Sequence, residues 1–130
     1  MTGDQEQIRI LLVDDDENTA DLLAETFKDI GADVIVAYDG KDAIQTYLNF
    51  QPDIVFSDYL MPEIDGIMLF KAIKALNPDL PFVLFSGYHD KLVNEVKAAG
   101  IEPDALMRKP FLRLEKITEV LEEFFPGFKK

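Results

Sequence analysis

Residues 54–66 read Ile54-Val55-Phe56-Ser57-Asp58-Tyr59-Leu60-Met61-Pro62-Glu63-Ile64-Asp65-Gly66. The apolar run Ile54–Ser57 has strand length and is followed by turn chemistry, so it predicts a buried strand. Asp58 comes at once after it. Met61-Pro62 then makes a rigid bend into a helix whose N-cap is Asp65. The strand thus delivers a carboxylate to the rim of a sheet, where a loop begins. A second apolar run, Ile8–Val13, does the same for Asp14, Asp15 and Asp16, and a third, Ala105–Arg108, for Lys109 ahead of Pro110. If these strands are parallel neighbours, their carboxyl ends share the rim at which open α/β sheets bind ligands.

The rest of the chain keeps to this alternation. Val34–Tyr38 and Phe82–Ser86 read as two more strands, and between the strands apolar residues recur at helical spacing. Ala20, Leu23, Phe27 and Ile30 mark one helix. Ala43, Ile44, Tyr47 and Leu48 mark a second, and Ile67, Phe70, Ile73 and Ala75-Leu76 a third. Leu92, Val93, Val96 and Ala99 mark a fourth that stops at Gly100. Leu114, Ile117, Val120, Leu121 and Phe124 mark a fifth, ended by Pro126-Gly127. Five βα units with short connections predict an α/β fold: a single five-stranded parallel sheet, doubly wound, in the flavodoxin-like order 2-1-3-4-5. Residues 8–125 form the expected domain, with a loose polar start over 1–7. Residues 126–130 are a tail or the start of a linker. The phenylalanines near that end either cap the fifth helix or mark a chain cut from a longer protein.

A chain of 130 residues, 48% of them hydrophobic, fits one globular domain. It has no cysteine, which excludes disulfides and thiolate metal sites. No apolar run has membrane-spanning length and the start lacks signal-peptide character, so a cytoplasmic location and no membrane are expected. The net charge of −12 is uneven: residues 1–65 hold 16 acidic and 3 basic side chains, residues 66–130 hold 9 and 10. Direct nucleic-acid binding is disfavoured, since it needs a basic footprint. A cation and a partner with basic features fit better.

Magnesium takes oxygen ligands and keeps several waters, so Asp14 and Asp15 with Asp58 and one main-chain carbonyl of the following loop suffice to hold it. N-capping is the competing reading for Asp14 and Asp15, and the favoured one for Asp16 and Glu17. Asp58 is suited to nucleophilic attack on phosphorus, giving an aspartyl phosphate, with a metal and a lysine neutralising charge. Ser86, at the end of its strand, would donate a hydrogen bond to phosphoryl oxygens, and Gly87 would let the backbone come close. Lys109 would pair with the phosphate, aimed by Pro110. His89 reads as a solvated surface histidine, and Tyr38, Tyr47 and Tyr59 as packing or rim residues.

With these motifs in order, the chain resembles a response-regulator receiver domain, the phosphoacceptor of two-component signalling. The resemblance rests on Ile10–Asp16, Asp58–Gly66, Phe85-Ser86-Gly87 and Lys109-Pro110-Phe111, and covers about residues 8–125. It implies that Asp58 is phosphorylated by a histidine kinase or a histidine phosphotransfer protein. It also implies that Asp15, Asp58 and the Leu60 carbonyl bind Mg²⁺ (Mn²⁺ substituting), with Asp14 acting mainly through water. Ser86 and Lys109 would contact the phosphoryl group. The output would be a conformational switch on the face of the fourth helix, fifth strand and fifth helix, controlling a partner or output domain. Dimerisation is open. The protein would be no enzyme beyond assisting its own phosphorylation and dephosphorylation. A phosphorylation-independent pseudo-receiver and a Mg²⁺-dependent phosphohydrolase are the alternatives. The chain departs from the family at Leu106, where an aromatic is usual, and in a longer Gly100–Asp104 segment. Tyr88 is the candidate to replace the missing aromatic. Leu60 and Tyr88 flank the phosphoryl position and are expected to slow water access.

Overall fold

A computed structural model describes residues 7–109 and 114–127. They form β1 (Arg9–Val13), α1 (Glu17–Asp29), β2 (Asp33–Ala37), α2 (Gly40–Phe50), β3 (Ile54–Asp58), α3 (Gly66–Leu76), β4 (Phe82–Ser86), α4 (His89–Ala99), β5 (Ala105–Arg108) and α5 (Leu114–Phe124). All neighbouring strands pair in parallel, in the order β2-β1-β3-β4-β5, as expected. Helices cover both faces. The three central strands are therefore apolar at successive positions rather than alternating with polar ones.

Two-residue periodicity divides the core in two. Leu11, Val13, Val55, Phe82 and Leu84 point to the α2–α3–α4 side, where the Phe70 and Phe82 rings meet edge to face at 5.2 Å. Ile10, Leu12, Ile54, Phe56, Val83 and Phe85 point to α1 and α5, with Phe27 and Phe56 4.9 Å apart. Phe124 and Phe125 pack partly against that second core. Leu106 lies half-buried against the first core. The expectations for residues 1–6, for Pro110 and Phe111, and for 128–130 lie outside the described residues.

Aspartates start three helices. Asp16, Asp39 and Asp65 accept the N–H groups of Thr19, Asp42 and Met68 at 3.4, 2.7 and 2.8 Å. Gly100 closes α4 in the left-handed conformation (φ 68°). Gly66 is demanded by close approach: a Cβ there would press on the Asp58 carbonyl oxygen and come 2.9 Å from Tyr59 Cα. Strand ends differ slightly from expectation. Asp58 is the last residue of β3 rather than the first of a loop. Tyr38 falls outside β2, because the chain turns there towards its Asp39 cap, and its hydroxyl donates to Asp21 at 2.7 Å. The Gly100–Asp104 segment ends in a latch: Asp104 accepts the Phe82 N–H at 2.7 Å and pairs with Lys74 at 3.3 Å.

Candidate functional site at the carboxyl rim of the sheet

The ends of β1, β3, β4 and β5 meet at one rim. Asp14 follows β1 directly and is fully buried. Its N–H donates to the Ala37 carbonyl (3.2 Å), which continues the β1–β2 ladder one step past the strand. Its Oδ1 accepts the Asp16 N–H at 3.0 Å, leaving Oδ2 free to turn inward. Asp58, 6% exposed, comes from the neighbouring strand. Lys109, just past β5, sends Nζ to Asp14 Oδ2 and Asp58 Oδ2, 3.0 Å from each. One ammonium thus bridges two buried carboxylates. The Lys109 N–H is held by the Ser86 carbonyl (2.9 Å), and its Nζ lies 5.3 Å from the centre of the Phe85 ring.

Charge in this corner is unbalanced. The oxygens of Asp14, Asp15 and Asp58 can lie within 4.8 Å of one another, with Asp15 exposed at the mouth. Two unit charges at that distance repel by roughly 3.5 kcal/mol at an effective dielectric of about 20. Burial, and next the Asp14 charge, push the Asp58 carboxyl up from 3.8 to about 6, against the hydrogen bond from Lys109. Burial disfavours the charged form of Lys109, yet its close contacts with the Asp14 and Asp58 carboxylates prevail and raise its pKa. Three hard oxygen donors with one ammonium leave an excess of negative charge that a small divalent cation would offset. The donor set fits Mg²⁺.

The structure brings Asp14, Asp15, Asp58 and Lys109 together. Ser86 is buried at the adjoining strand end, but its hydroxyl accepts the Tyr88 N–H at 2.9 Å and touches neither Asp58 nor Lys109. A Cβ on Gly87 would meet no atom of the described residues within 4 Å, so no close approach among them demands glycine there. Among the described residues no hydrogen bond reaches the Leu60 carbonyl, and the Leu60 side chain is 38% exposed. His89 is half-buried at the start of α4 with Nδ1 unbonded, rather than solvated in a loop. Two contributors escaped the sequence reading: the Phe85 ring beneath the ammonium and the steric fit of Gly66 beside the Asp58 backbone. Strand periodicity placed Phe85 in the core, and nothing in it showed that Lys109 would lie over the ring.

Residues 10–122 match the response regulator receiver domain family. The Transcriptional regulatory protein ZraR of Salmonella typhimurium is 34% identical over 119 residues, which are 90% of this chain and 26% of that protein. The chain therefore spans about a quarter of the length of the curated relatives it matches. The receiver domain of NtrX from Brucella abortus superposes with a TM-score of 0.80 at 29% identity, over 91% of this chain and 98% of that one. The response regulator TrrA of Thermotoga maritima, solved in complex with Mg²⁺–BeF, gives 0.79 at 26% identity, over 89% and 97%.

Proposed function

The chain belongs to the response regulator receiver domain family, and from that membership we propose that it accepts a phosphoryl group on Asp58 and relays it as a conformational signal. The observation that carries this reading is the single ammonium of Lys109 held between two buried carboxylates, 3.0 Å from each. The donor is a phosphohistidine on a histidine kinase or histidine phosphotransfer protein. An Asp58 carboxylate oxygen attacks phosphorus; a P–O bond forms as the P–N bond breaks, and the imidazole leaves. Asp14, Asp15, Asp58 and the Leu60 carbonyl would hold Mg²⁺ (or Mn²⁺), which supplies positive charge for the phosphoryl oxygens. Lys109 neutralises the same group, and Ser86 turns its hydroxyl to it with Gly87 alongside. Attack by water on phosphorus later breaks the P–O bond and restores the carboxylate.

Ser86 is tied to α4 through the Tyr88 N–H, and Tyr88 caps that helix without a side-chain hydrogen bond. Movement of Ser86 towards a phosphoryl group is thereby passed to the first turn of α4, with Tyr88, 67% exposed, free to repack. The α4–β5–α5 face then presents the signal to a partner or an output domain. The receiver unit is residues 8–125, acting in the cytoplasm. The name of the Salmonella relative favours a transcriptional output in a longer protein. Leu60 and Tyr88 shield the phosphoryl group, and Leu60→Ala with Tyr88→Ala should shorten its lifetime.

Intact mass after incubation with acetyl phosphate and Mg²⁺ tests the central step. One added phosphoryl group, absent in EDTA and in Asp58→Asn, is the expected result. An adduct that persists in Asp58→Asn would overturn the assignment.

A further inference from the structure

Among the described residues β2 is an edge strand, paired with β1 alone. The Asp33 N–H donates to the Ile8 carbonyl and the Ala37 carbonyl accepts from Asp14, so the odd-numbered residues turn their peptide groups towards β1. By strand alternation Val34 and Val36 turn theirs outward, and among the described residues no hydrogen bond reaches these main-chain groups. Past Asp33 the strand reads Val-Ile-Val-Ala, with no lysine, proline or bulge to blunt the edge; Ile35 and the adjoining Tyr38 are each 38% exposed. The opposite edge, β5, ends on the exposed Arg108.

A row of carboxylates runs beside this edge. Glu17, Asp21 and Glu25 are exposed on α1 at four-residue spacing, hence on one side of the helix. The Tyr38 hydroxyl bonds Asp21, and the charges of Asp21 and Glu17 help raise its pKa, so this side faces β2. Successive carboxylates rise by about 6 Å along the helix, while alternate residues of an extended chain rise by about 6.7 Å. The two spacings match over three residues.

We propose that the β2 edge is a docking site for an extended segment bearing Lys or Arg at alternate positions, added to the sheet as a sixth strand. Main-chain groups of Val34 and Val36 hold its backbone, and Glu17, Asp21 and Glu25 face its cations. A second copy of the chain is the wrong occupant, because it would bring another net charge of −12 to this acidic edge.

The test uses ¹⁵N-labelled protein in excess MgCl₂ and the blocked hexapeptide acetyl-Lys-Val-Lys-Val-Lys-Val-amide. The control is the blocked peptide Lys-Lys-Lys-Val-Val-Val. Titration should shift the Val34 and Val36 amides and slow their hydrogen exchange roughly tenfold, leaving Ile35 exchange, already protected by β1, unchanged. The block-sequence control should bind at least about fivefold more weakly. Glu17→Gln with Glu25→Gln, both on the surface, should cost a similar factor, as should raising the salt. Shifts confined to Asp14, Asp15 and Asp58, equal binding of the two peptides, or protection of Val34 and Val36 through self-association seen by sedimentation would each overturn the proposal.

Discussion

Replacing Asp58 by Asn should make the metal-free protein more stable at neutral pH. The Asp58 carboxyl is pushed from 3.8 to about 6 by burial and by the Asp14 charge. A raised acid is protonated more readily in the folded than in the unfolded chain. Folding therefore gains from it below the unfolded value, and that gain is lost as pH rises from about 4 through about 6. At 1.36 kcal/mol for each tenfold change in proton affinity, the loss comes to about 3 kcal/mol. The repulsion between two carboxylates 4.8 Å apart, the outer limit for this cluster, is roughly 3.5 kcal/mol and of the same size. Asparagine keeps the shape and offers Lys109 an oxygen, but carries no charge. For 130 residues, about 3 kcal/mol corresponds to roughly 10 °C in Tm. The assay is urea and thermal denaturation of both proteins in EDTA between pH 4 and 8, where titrating groups remote from Asp58 cancel in the difference. The variant should match wild type near pH 4 and exceed it progressively to pH 7, and Mg²⁺ should narrow the gap by stabilising wild type. A variant no more stable than wild type at pH 7, or a gap that widens towards pH 4, would show that burial and the Asp14 charge do not destabilise the ionised Asp58.

Lys109→Ala leaves the fully buried Asp14 without a cation, and should lower metal-free stability by about 3 kcal/mol in urea titrations, with Mg²⁺ restoring more of it than in wild type. Gly66→Ala drives a methyl into the Asp58–Tyr59 backbone and should cost about 2–3 kcal/mol, whereas Gly87→Ala meets nothing and should stay within about 0.5 kcal/mol; paired thermal melts separate the two. Asp39→Ala removes the 2.7 Å cap of α2 and should cost about 1 kcal/mol, read from the urea midpoint.

The strand and helix order was legible because a sheet covered on both faces writes short apolar runs such as Leu11–Val13 and Val83–Phe85, while its helices keep a four-residue beat. The rim residues were legible for a related reason. Asp14, Asp58, Ser86 and Lys109 each stand at or just past the same end of a strand, and parallel pairing stacks those ends. What periodicity cannot carry is reach. That Lys109 spans to both carboxylates while the Ser86 hydroxyl turns to Tyr88 depends on inter-strand register and local rotamers. The tightness at Gly66 depends on how close α3 starts to the end of β3, which the Asp65 cap alone does not specify. The acidic flank of β2 was visible as charge in the first half of the chain, but its direction came only from the Tyr38–Asp21 bond.

The Lys109 bridge also has a consequence for the order in which the chain assembles. Asp14 and Asp58 lie at the ends of paired strands, β1 and β3, whereas their shared ammonium arrives 51 residues after Asp58. A nascent chain leaving the ribosome can build β1, β2 and β3 long before β5 is available to dock. Until then both carboxylates have no lysine between them, which should disfavour settled pairing at that end of β1 and β3. Closing this long loop should offset part of the repulsion as it completes the sheet. A fragment ending before Lys109 should consequently resist forming a settled rim, even though it contains every carboxylate of the site.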